Sequence, residues 1–129
     1  MPLTREAVER WLHAYGQAWQ QADPQRAAAL FTDDCRYFET PFAPPAVGRD
    51  GVLAYWQAVP DGQADIAFAW RLVAVEGEVA LAHWSASFTR KAGGTRVHLD
   101  GMFELAFDTG SGRCRTLREW WHAEERPVA

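Results

Sequence analysis

Two carboxylates in this chain stand among large rings. Glu39 follows Tyr37 and Phe38, with Pro41 and Phe42 just beyond it, and Glu119 precedes Trp120 and Trp121. A carboxyl group in such company either sits solvated at a strand end or occupies an apolar pocket. In a pocket, loss of hydration disfavours the anion and raises the pKa towards the range where an acid or base is useful. Alternation at period two puts Cys35, Tyr37 and Glu39 on one strand face, and Leu117, Glu119 and Trp121 on one face of a later strand. The apolar neighbours of Glu119 make its face the inward one, so it is a second pocket carboxylate or the partner of an Arg or His. Asp100 is a lesser candidate. Phe103, Leu105 and Phe107 define a buried face, and Asp100 has the opposite parity together with His98, Met102 and Glu104. Only a bulge at Gly101 would turn it inward.

Other chemistries find less to work with. His98 and Asp100 are two potential metal ligands without a third, and His83 alternates against Trp84. HExxH, GxSxG, P-loop and GxGxxG patterns are absent, so zinc proteolysis, serine hydrolysis and nucleotide chemistry have no support. No metal and no cofactor are expected. Proton transfer by side chains is the chemistry that fits. Tyr15 belongs with it: a phenol on an apolar helix face needs a hydroxyl partner, either a neighbouring polar group or a substrate oxygen.

The elements that must position these groups are legible in order. Thr4 caps a first helix whose Val8, Trp11, Leu12, Tyr15 and Trp19 recur on one face. Asp23-Pro24 starts a short second helix through Leu30, and Thr32-Asp33-Asp34 stops it before a strand over 35–40. Pro41, Pro44 and Pro45 impose a rigid loop to Gly48; a third helix through Val52, Tyr55, Trp56 and Val59 ends at Pro60. From Asp65 the period changes to two, with Ile66, Phe68, Trp70 and Leu72 on one face, then Ala82, Trp84, Ala86 and Phe88, then Phe103, Leu105 and Phe107. Turns at Glu76-Gly77, Ala92-Gly93-Gly94 and 109–112 are short and glycine-bearing, which predicts consecutive antiparallel hairpins.

Composition sets the bounds. A chain of 129 residues reads as one domain, 1–129, able to bury a real core. Seven Trp, seven Phe and three Tyr are enough rings to fill that core or to line a cavity in it. A net charge of −4 leaves no basic footprint for nucleic acid or an anionic membrane, and Arg113, Arg115 and Arg118 read as a solvated strand edge. Cys35 and Cys114 lack metal or redox spacing, and no segment approaches the roughly 18 apolar residues of a membrane span. The charged opening MPLTREAVER carries no apolar run. A soluble, cytoplasmic protein with reduced thiols is expected.

The segment AWQQADPQRAAALF reads like the pattern AW-x-x-x-D-x-x-x-x-x-x-LF, and it runs into the strand, proline turn and helix of 30–56. In these features, and in element order over nearly its whole length, the chain resembles the nuclear transport factor 2-like superfamily. The SnoaL-like proteins and ketosteroid isomerases are the nearest in kind. The resemblance implies an α+β fold in which a cone-shaped, curved antiparallel or mixed sheet wraps around three N-terminal helices, with a pocket at its open end. By the same resemblance Glu39 falls where the isomerases carry a proton-shuttling carboxylate, although Thr40 here separates it from Pro41. Tyr15 falls where they place a tyrosine that donates to an oxyanion. The expected pocket is lined by Trp11, Tyr15, Trp19, Tyr37, Trp56, Phe68, Trp84, Phe103 and Trp121. The implied function is isomerisation, cyclisation or dehydration of a small apolar carbonyl compound, with a non-catalytic ligand-binding or dimerisation domain as the alternative. A homodimer through the outer sheet face, near Trp120, is also implied.

Overall fold

Thr4 accepts a hydrogen bond from Ala7 N at 3.1 Å and opens α1, Arg5–Gln20. Such a cap satisfies one otherwise orphaned N–H and is worth about 1 kcal/mol. The predicted stripe is the buried face, with Val8, Trp11, Leu12, Tyr15 and Trp19 all withdrawn from water. Asp23 caps α2, Pro24–Ala28, with its proline in the first turn as expected. The computed structural model describes residues 2–127.

Six strands form one mixed sheet in the order β2-β1-β6-β5-β4-β3. Their bounds are β1 Phe31–Phe38, β2 Ala46–Val47, β3 Gln63–Glu76, β4 Val79–Arg90, β5 Arg96–Asp108 and β6 Arg113–Arg126. The last four strands meander antiparallel through the predicted turns, whereas β1 joins the end of the meander by running parallel to β6. Register shifts interrupt β1 against β6, β3 against β4, and β5 against β6. Bulges of this kind sharpen local twist, and the sheet curls around the helices without closing.

Two expectations shift, the bounds of the first strand and the end of the third helix, while the outward parity of Asp100 holds. The first strand begins at Phe31, so Thr32, Asp33 and Asp34 lie within it, and it ends at Phe38 rather than Thr40. Glu39 therefore sits just past the strand. The third helix, α3 Gly48–Trp56, breaks at Gln57, and Pro60 lies inside a further single turn, α4 Ala58–Gly62. A proline in a first turn gives up no helical hydrogen bond, which is why Pro60 does not end the helical path. Gly101 makes no bulge: β5 pairs in unbroken register through Asp100, Gly101 and Met102, and Asp100 faces outward with its carboxylate 2.9 Å from His83 Nε2.

The role of Gly101 is packing. A methyl group there would come within 2.8 Å of the Trp84 ring and 2.5 Å of Trp120 O. Trp84 occupies that space and stacks on Phe103, with ring centroids 5.1 Å apart. The three arginines of β6 are not a bare cluster: Arg115 pairs with Glu78, Arg118 lies 4.1 Å over the Phe38 ring, and Arg113 donates to Ala29 O. Cys35 and Cys114 are buried, free thiols. Among the described residues no helix is long and apolar enough to cross a membrane.

Candidate functional site

The helices pack into the curled sheet around an aromatic core. There Trp11 stacks on Tyr15 and sets its edge against Phe31 and Phe107, and Trp84, Phe103 and Phe68 pack beneath. Four residues expected to line the pocket, Trp11, Phe68, Trp84 and Phe103, belong to this packed core instead. Alternation identifies the inward face of a strand but carries no information about depth along it.

Beside this core a cavity of about 400 Å³ remains. Tyr15 and Trp19 reach it from α1, Tyr37 from β1, Tyr55 and Trp56 from α3, and Glu119 and Trp121 from β6; Glu39 stands beside them. Of the predicted site residues, Glu39, Tyr15, Glu119, Trp19, Tyr37, Trp56 and Trp121 are therefore brought together. Tyr55, Gln63, Phe88, Val97 and Leu99 line the cavity in addition to those expected. Phe88 does share a predicted inward face with Trp84, so parity could have found it. The rim carries an ion pair between Arg90 and Glu125 at 2.8 Å.

Glu119 is the one buried charged residue among the described residues, 7% exposed. Burial pushes its carboxyl up to about 8, the charge of Glu39 adds to the rise, and a hydrogen bond from Tyr37 opposes it. That bond runs from Tyr37 Oη to Glu119 Oε2 at 3.3 Å, and Tyr37 Oη lies 2.8 Å from Tyr15 Oη. Each phenol has one proton. With Tyr37 donating to the carboxyl, Tyr15 donates to Tyr37, so Tyr15 acts on the carboxyl through its neighbour. Direct donation from Tyr15 to an oxyanion, as the resemblance implied, would require breaking this chain. Burial first, and the nearby carboxylates next, hold the Tyr15, Tyr37 and Tyr55 phenols well above their ordinary pKa, which keeps all three as O–H donors.

Glu39 is not enclosed by Tyr37, Phe38 and Phe42 as a pocket reading of its neighbours would have it. It is half-buried at the cavity edge, and Phe42 points into solvent at 99% exposure. The three prolines carry the chain away from the sheet there, so Phe42 cannot fold back over the carboxyl. Trp121 holds this point in place by donating from Nε1 to Glu39 O at 3.1 Å. The desolvation expected at Glu39 falls on Glu119.

Three helices and the single turn α4 against a six-stranded, mixed, curled but unclosed sheet make the α+β architecture of the nuclear transport factor 2-like superfamily. Residues 8–114 match the SnoaL-like domain, and the chain belongs to that family. No relative is found among curated protein sequences. Among solved structures, a candidate scytalone dehydratase from Novosphingobium aromaticivorans DSM 12444 superposes with a TM-score of 0.79 at 17% identity, over 96% of this chain and 88% of that one. A hexachlorocyclohexane dehydrochlorinase (LinA) type 2 gives 0.78 at 13% identity, covering 97% and 88%. A computationally designed 17-OHP binder gives 0.78 at 16% identity, covering 93% and 97%. At these identities the likeness is one of fold.

Proposed function

We propose that this protein is a cofactor-free acid–base enzyme acting on a small, mostly apolar carbonyl compound. The observation that carries the reading is a carboxyl group, Glu119, buried at the floor of an aromatic cavity and hydrogen-bonded by Tyr37, with a second carboxyl, Glu39, at the edge of the same space. Two carboxyls in unlike surroundings divide the roles of acid and base. Glu119, held neutral by burial, donates; Glu39, half-exposed, takes the proton next to the substrate carbonyl. The bond from Tyr37 goes to Glu119 Oε2, which leaves Oε1 for the substrate. Tyr15 and Tyr37 position the Glu119 carboxyl, and the ring walls hold an apolar skeleton and exclude water.

A panel of simple compounds is enough for the test. Small ketones and enones are incubated with the protein in heavy water, and exchange of the protons next to the carbonyl is followed by NMR. Loss of a useful general acid or base lowers the rate by about a hundredfold or more. Glu39→Gln and Glu119→Gln should each do so while leaving the unfolded fraction at assay temperature negligible. Binding of the same compounds without exchange by the wild type would support a ligand-binding domain instead, the use to which the designed binder puts this fold.

A further inference from the structure

The cavity wall formed by β6 carries a carboxyl at each end. Glu119, Trp121, Ala123 and Glu125 alternate inward along the strand, and all four line the cavity. From Glu119 to Glu125 the strand covers about 20 Å. Leu99 and Val97 of β5 pair with Ala123 and Glu125, and Phe88 of β4 pairs with Val97, so the middle of the wall is apolar. Arg90 follows Phe88 with the same inward parity and also lines the cavity. It reaches across β5 to Glu125, donating from Nε to Oε1 at 2.8 Å, and both side chains are 48% exposed. That bond leaves the terminal guanidinium nitrogens and Glu125 Oε2. Gln63, the cross-strand neighbour of Arg90, accepts from Trp19 Nε1 at 2.8 Å through Oε1, which leaves its amide nitrogen as a further donor. The cavity therefore runs from the buried Glu119, past apolar walls, to a donor and acceptor set at its mouth. A few polar groups placed in this way fix the orientation of a ligand in an apolar pocket.

Protons and charges decide what such a set can hold. The Arg90–Glu125 pair is neutral as a whole, so an anionic tail gains from Arg90 and is repelled by Glu125. An alkyl tail takes water from both groups and returns no hydrogen bond. A hydroxyl accepts from a terminal nitrogen of Arg90 and donates to Glu125 Oε2 at once. We propose that the substrate carries a hydroxyl at the end remote from its reacting carbonyl, and that Arg90 and Glu125 bind that hydroxyl at the cavity mouth. The acid–base reading above supplies which end holds the carbonyl. The substrate class is then an apolar skeleton with a carbonyl at one end and an alcohol at the other, lying lengthwise along β6. Water reaches the ion pair, so the hydroxyl gains about tenfold in affinity over an alkyl end rather than the larger factor of a sealed site.

Binding and chemistry are measured separately. Methyl ketones of graded chain length, ending in methyl, hydroxyl or carboxylate, are titrated into the protein by calorimetry, and deuteration next to the carbonyl in heavy water is followed by NMR. At the best length the hydroxyl-ended ketone should bind the wild type about tenfold tighter than either of the others. Arg90→Met keeps an unbranched stem over Phe88 without the donors, and should bring the hydroxyl and methyl ends to within about twofold of each other. Glu125→Gln removes the repulsion and should raise the affinity for the carboxylate end about tenfold, a change of preference that lost packing would not produce. The wild type alone is able to overturn the proposal, by binding hydroxyl and methyl ends equally at every length or by preferring the carboxylate. A hydroxyl preference that survives Arg90→Met would also overturn it. Preference for the hydroxyl without deuteration would overturn the acid–base reading and keep the hydroxyl site; deuteration without that preference would do the reverse. Neither binding nor deuteration with any member would overturn both.

Discussion

Replacing Glu119 with glutamine should stabilise this protein at neutral pH while removing the proton its site holds. Burial, helped by the charge of Glu39 and opposed by Tyr37, moves the carboxyl from its ordinary 4.5 up to about 8. The unfolded chain releases this proton near pH 4.5 and the folded chain near pH 8. Between those values the unfolded state binds fewer protons, so the free energy of unfolding falls as pH rises. Each pH unit in that window is worth about 1.4 kcal/mol, which makes the loss about 3 kcal/mol by pH 7 and about 5 kcal/mol above pH 8. Below pH 4.5 the contribution is fully present. The Glu119→Gln side chain has a similar shape, can accept from Tyr37 and has no proton to lose. Urea unfolding of both proteins from about pH 4 to about pH 9 measures the difference, and every other titrating group cancels to first order. The two stabilities should agree near pH 4.5 and diverge steadily, with the variant ahead by about 3 kcal/mol at pH 7. A wild type as stable as the variant at pH 8 would refute the claim that burial holds this carboxyl neutral.

Because the charge of Glu39 is the second cause of the rise at Glu119, Glu39→Gln should lower the Glu119 midpoint yet leave it above 4.5; carboxyl carbon NMR reads this, and an unchanged midpoint would mean the two groups do not interact. Gly101→Ala should destabilise the protein by about 1–3 kcal/mol or more, since the added methyl meets backbone at 2.5 Å and the Trp84 ring at 2.8 Å; thermal unfolding is the assay, and a neutral result would show that Trp84 can move aside. Trp120, 46% exposed on the outer sheet face in one cross-strand row with Met102 and His83, should sit at the contact of a homodimer. Light scattering should find a dimer that Trp120→Lys weakens about tenfold or more, in keeping with a central aromatic anchor; a wild-type monomer at high micromolar concentration would remove the idea.

Much of this molecule is written in local pattern. The spacing of Val8, Trp11, Leu12, Tyr15 and Trp19 specifies the buried face of α1, the caps Thr4 and Asp23 specify where helices begin, and alternation places Glu119 inward and Asp100 outward. These are consequences of periods of 3.6 and 2, which any short stretch of chain displays. Tertiary structure decides what such periods cannot express. Whether an inward ring fills the core or borders a cavity depends on which elements pack against it, so Trp84 and Phe103 are packing while Phe88, Val97 and Leu99 are wall. Which carboxyl loses its water depends on what packs over it in the folded chain: Glu119 is buried, while Glu39 stays half-buried at the cavity edge. The hydrogen-bonded run from Tyr15 through Tyr37 to Glu119 joins α1, β1 and β6 across separations of 22 and 82 residues. Its existence depends on the parallel pairing of the first strand with the last, a long-range choice that no local spacing encodes.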